Sequence, residues 1–157
     1  MSTATGTADV EGIENGDWKA GVVGGILGAA VMGALVLAMN KAVIAVAIPS
    51  LYTLAPPPNP AAGLFVHISH GAVLGVVFAA IVGAVAPEST GKTVGIGAAW
   101  GAVAWAVLAG LVMPLWLSAV GSPASPPFPN FAPPSLLWHV VYGVVLGGVY
   151  DAVEGKF

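Results

Sequence analysis

From Trp18 onward the chain runs through long apolar stretches separated by short polar or proline-rich breaks, and no two-residue alternation of strand type interrupts them. Four stretches reach the length needed to cross a hydrocarbon layer of ~30 Å, about 20 residues at a helical rise of 1.5 Å. They predict helices over residues 19–48, 63–85, 93–119 and 135–153, with Pro49 and Pro87 closing the first two. A membrane barrel would alternate apolar and polar side chains, whereas these stretches are apolar on every side. Backbone groups in lipid must bond within their own segment, which leaves helix. The expected fold is all-α, an integral membrane four-helix bundle.

The helices come in two copies. A shift of 72 residues lays FVHISHGAVLGVVF (Phe65 to Phe78) on LWHVVYGVVLGGVY (Leu137 to Tyr150), with identities at His67/His139, Gly71/Gly143, Val73/Val145, Leu74/Leu146, Gly75/Gly147 and Val77/Val149. Upstream it pairs Gly25 with Gly97 and Ala30 with Ala102. Each unit holds two spans, so both enter from the same side, as tandem parallel helix-loop-helix repeats about an axis along the membrane normal. The organisation expected is an acidic, disordered tail over 1–17, repeat units over 18–86 and 87–153, and a C-terminal tail over 154–157. Lipid gives helices no hydrophobic reason to associate, so small residues at four-residue spacing mark the contact faces. Gly25, Gly71, Gly75, Gly97, Gly101, Gly143 and Gly147 are the expected packing positions. Pro114 removes the backbone bond to Gly110 and predicts a kink near the end of the third helix.

Composition sharpens this picture. With 57% hydrophobic and 7% charged residues the surface cannot be that of a water-soluble domain. Absence of Cys removes disulfides, thiolate metal sites and cysteine nucleophiles, and absence of Arg removes the usual footprint of a nucleic-acid binder. Lys19, Lys92 and Lys156 share one side against Lys41 on the other, which by the positive-inside rule places both termini in the cytoplasm of a multi-pass cell-membrane protein. Lys41 lies near a helix end, where its stem can snorkel to the interface. The two connections on the far side, PSLYTLAPPPNPAA and GSPASPPFPNFAPP, hold 11 of the 13 prolines and no charge, and read as stiff apolar lids.

Few polar groups reach membrane depth. His67 and His70 share a face of the second helix, and His139 repeats His67 in the fourth, with Tyr142 in place of His70. One reading makes them structural, capping carbonyls or bonding across helices, with Trp138 and Tyr142 as interfacial belt aromatics. A sharper one has His67 and His139 ligate a b-type haem from facing helices, although no Arg is present to meet the propionates. A copper or zinc site from His67, His70 and His139 would lack carboxylate or thiolate ligands.

The segments HISHGAVLG and HVVYGVVLG fit H-x-x-[HY]-G-x-x-L-G. With the acidic tail and Arg-free, Gly/Ala/Val-rich composition, the chain resembles a group of small uncharacterised membrane proteins of haloarchaea. That resemblance implies a multi-pass membrane fold and no catalytic residue. By analogy such proteins serve as accessory subunits of respiratory or other membrane complexes. The expected function is therefore a structural or accessory membrane subunit, with no cofactor required, the lipid bilayer as environment, other subunits or its own copies as partners, and no nucleic acid. A haem b electron-transfer protein is the first alternative. A small transporter or channel is the second, disfavoured because no charged side chain lies mid-span.

Overall fold

The computed structural model describes residues 16–157, so the expectation for the acidic tail lies outside the described residues as far as position 15. Four helices follow: α1 Trp18–Ser50, α2 Pro60–Val85, α3 Thr90–Ala119 and α4 Pro133–Val153, all long and apolar enough to cross a membrane. Three begin two or three residues earlier than predicted, and the cause is capping. Asn59 and Ser89 accept backbone N–H groups of the first turns of α2 and α3, and Pro60 and Pro133 occupy first-turn positions where a missing N–H costs nothing.

Pro49 does not close α1. It sits buried inside the last turn, after a π-helical turn over Val43–Ala47, and the helix runs on to Ser50. Proline cannot bond the carbonyl four residues back. That carbonyl, Ala45 O, instead accepts Asn59 N–H from the returning loop at 2.7 Å. The third helix repeats the device: Gly110 O, deprived by Pro114, accepts Asn130 N–H at 2.9 Å, and α3 is π-helical over Trp105–Val112. In α3 the proline and the widened turn fall together toward the loop end. In α1 the break in helical geometry falls instead at Asn40 (φ −154°, ψ 76°), beside the exposed Lys41.

Within each hairpin the backbones nearly touch. A Cβ on Gly25 would overlap the carbonyl of Gly71, and one on Gly21 that of Gly75; in the second unit Gly97 meets Gly143 and Gly101 meets His139 in the same way. Between hairpins the two units are not equivalent. Helix α1 lies close along α4, where a Cβ on Gly24 would come 2.9 Å from Leu146 O and one on Gly28 2.8 Å from Tyr142 O. The repeat equivalents of Gly24 and Gly28 are Ile96 and Trp100, and α2 and α3 make few close backbone approaches. The main buried cluster accordingly comes from α1, α2 and α4, with Phe78 edge-on to Tyr150 (ring centroids 5.5 Å apart) toward the end opposite the loops. Helix α3 packs along α4 and adds the partly buried Ile96, Trp100 and Met113 to that cluster, and it buries Ala104, Ala109 and Leu117 outside the cluster.

At the end opposite the proline-rich loops, the start of α1 is latched to the end of α4. Asp17 caps α1 through Lys19 N–H and Ala20 N–H (3.1 and 3.0 Å) and accepts Gly155 N–H at 2.8 Å, while its own N–H donates to the Tyr150 hydroxyl. Those donors, Ala20 N–H foremost and then Gly155 N–H, hold the Asp17 carboxyl below its ordinary pKa. A depressed folded-state pKa contributes stability that is complete above the unfolded value of 3.8 and disappears as pH falls through the folded value. Thermal unfolding in detergent from pH 6 to pH 2.5 should therefore show an acid-side loss below about pH 4 that is smaller in Asp17→Asn; identical acid limbs would remove Asp17 as a contributor.

Two glycine substitutions should act with opposite signs. Gly25→Ala forces the Gly71 backbone away and should destabilise by about 1–3 kcal/mol, as overpacking does. Gly95→Ala meets nothing within 4 Å and should stabilise by about 0.5–1 kcal/mol through backbone entropy alone. Unfolding midpoints of the two variants check both.

Candidate functional site

Several polar groups between the helices gather toward the loop end; His67, Tyr142 and Trp138 have definite partners, whereas the buried indole N–H groups of Trp100 and Trp105 have none among the described residues. His67, 9% exposed, turns its Nε2 to the carbonyl of Ala29 on α1 at 3.1 Å. That carbonyl keeps its place because α1 approaches α2 closely through Gly25 and Gly71. Tyr142, 2% exposed, reaches across from α4 to donate its hydroxyl to Gly71 O at 2.8 Å. Neither Tyr142 nor Trp138, 7% exposed, is a belt aromatic. Both lie in the core because the glycines of α1 leave room for rings from α4, and Trp138 donates its indole N–H to Met39 Sδ at 3.0 Å.

The duplicated histidines have different surroundings. His139 faces Gly101 as His67 faces Ala29, but its Nδ1 bonds Ser135 O of its own helix at 2.7 Å, and its Nε2 has no partner among the described residues. Its counterpart has Nε2 engaged. His70 is held by neither arrangement: its Nε2 lies 2.7 Å from the hydroxyl of Tyr52, which comes down from the first loop. Among the described residues no three His, Asp or Glu side chains gather as metal ligands would, so His67, His70 and His139 do not form a common ligand set. Axial ligation of haem b by His67 and His139 would require His67 to release Ala29 O.

The loops are pinned down as well as folded over. Phe131 lies against Gly110 and stacks at a tilt on Trp105, their ring centroids 5.5 Å apart, while Trp116 Nε1–H donates to Leu51 O at 2.9 Å. Composition marked these segments as lids, yet nothing in it pointed to Asn59 and Asn130 as the residues that close them. Tyr52, Gly24 and Gly28 were equally hidden. The signal that could have found the two glycines is the mismatch within the repeat, where they face Ile96 and Trp100.

Removing the Tyr142 hydroxyl tests whether these polar groups act as helix fasteners. Tyr142→Phe should lower stability in detergent by about 0.6–1.5 kcal/mol, the range for an interhelical hydrogen bond. No change would assign the bond no weight.

The profile of a family described as "Family of unknown function (DUF6789)" matches residues 16–156. No curated protein and no solved structure matches the chain.

Proposed function

The chain belongs to that family of unknown function, and we propose that it is a structural or accessory subunit of a larger membrane complex, respiratory complexes included. The observation that carries the reading is the use made of the deep polar groups: His67 and Tyr142 each bond a backbone carbonyl of a neighbouring helix and serve packing. Helix α3 supports it from outside. While one face packs on α4, the other turns Val103, Val107, Leu108, Leu111, Val112, Leu115 and Trp116 outward, a surface suited to lipid or to another apolar helix. In this reading the chain spans the cell membrane with both termini in the cytoplasm, and its acidic, Arg-free inner side suits a high-salt cell.

The lack of Cys makes the topology easy to probe. In whole cells Ser122→Cys should react with a membrane-impermeant maleimide and Phe157→Cys should not; the reverse pattern would invert the chain. Affinity isolation of the full chain from native membranes in mild detergent should bring down a stoichiometric membrane partner or a defined homo-oligomer. A lone monomer would end the accessory reading. One feature favours haem b as a second reading, the unpartnered Nε2 of His139. A Soret band lost in His139→Ala would carry it, and a colourless protein leaves the scaffold.

A further inference from the structure

At the loop end, the outer face of α2 carries a groove that the packing of the bundle does not use. It is an open groove of about 350 Å³ between Tyr52, Leu54, Phe65, Val66, Ser69 and His70. Aromatic rings form much of its wall. Phe65 is 73% exposed, and the Tyr52 and His70 rings stand 5.7 Å apart at 49°. His70 lies ten residues into α2, about 15 Å along the helix from its start at 1.5 Å per residue, so the groove opens on apolar surface and away from the loop tips.

Its polar side is set by hydrogen counting. A phenol carries one donor hydrogen and a neutral imidazole carries one. The single bond between Tyr52 Oη and His70 Nε2 consumes one of the two, whichever tautomer His70 adopts. One donor, the Tyr52 O–H or the His70 Nδ1–H, therefore stays free, and neither group makes a second hydrogen bond among the described residues. Where the bilayer covers this face of α2, an unused donor is costly because no water is at hand to accept it. Ser69 gives its own hydrogen to Phe65 O at 2.7 Å and makes no bond to the pair.

We propose that this groove binds the head ring of a membrane-soluble quinone, whose carbonyl oxygen accepts the hydrogen that the Tyr52–His70 pair leaves over. The lining selects against other lipophilic molecules. It holds no charged side chain, so a phosphate head has no counter-charge; a plain acyl chain has no acceptor; and flat aromatic walls match a flat ring better than a flexible ester. The volume is at the lower end of ligand sites, about 300–1,000 Å³, enough for a ring while the tail stays in the bilayer. This assignment is independent of the accessory-subunit reading, because it concerns the isolated chain.

The test uses full-length protein in phospholipid nanodiscs titrated with decylubiquinone, and reads both saturable binding and the infrared stretch of the quinone carbonyl. Expected are one equivalent bound per chain and a downshifted carbonyl band from the hydrogen bond. Tyr52→Phe and His70→Phe each leave one donor in the groove, so each alone should retain most of the binding. The double variant should lose it by about tenfold or more. Phe65→Ala, at an exposed position that cannot unsettle the fold, should weaken binding without altering the thermal midpoint. Absence of saturable binding to the wild type, an unshifted carbonyl band, a double variant that binds normally, or displacement by excess ester phospholipid would each overturn the proposal.

Discussion

Everything in this bundle depends on backbone meeting backbone. The hairpin of α1 and α2 closes on Gly21, Gly25, Gly71 and Gly75, and that of α3 and α4 on Gly97, Gly101 and Gly143, at separations where a single methyl group would overlap a carbonyl of the facing helix. In an apolar medium burial gives no drive to associate, and dispersion between closely fitted surfaces must provide it. Such surfaces tolerate no added volume. Glycine in a helix costs about 1 kcal/mol relative to alanine, a cost that only contact of this kind offsets.

Close approach also makes polar groups useful. Carbonyls already bonded within a helix can accept a second hydrogen, and here two do so across helices, Ala29 from His67 and Gly71 from Tyr142. Prolines supply others by leaving carbonyls free. Ala45 and Gly110 take the loop asparagines, so the same residues that loosen α1 and α3 fix the lids over the bundle. Three histidines within membrane helices invite a cofactor reading, and the geometry shows why residue type alone is a poor guide. His67 is a fastener, His139 is held by its own helix, and His70 faces a loop tyrosine beside a groove.

Duplication created two units, and divergence made them unlike. Gly24 and Gly28 let α1 settle along α4, whereas Ile96 and Trp100 at the equivalent positions keep α3 away from α2. Tyr142 and Tyr150 answer His70 and Phe78, so the rings that fill the core belong mainly to one copy, and the partner of the core tyrosine is a histidine turned to a groove. The outcome is a main core cluster built by α1, α2 and α4, with α3 joined to it through α4, and two similar sequences given different work.

Four helices, their order and the two-unit plan were legible in the sequence, because apolar runs of this length admit no other hydrogen-bonded backbone and a 72-residue repeat is visible by inspection. The small-residue spacing also exposed which helix faces meet. Helix starts at Asn59 and Ser89, the passage of α1 through Pro49, the burial of Trp138 and Tyr142, and the distinct fates of three histidines came only from the tertiary structure. The reason is physical: local pattern sets what each segment can form by itself, whereas a side chain's partner is decided by the distance between helices. That distance turns on single residues such as Gly28 against Trp100, whose consequence exists only once the helices are packed.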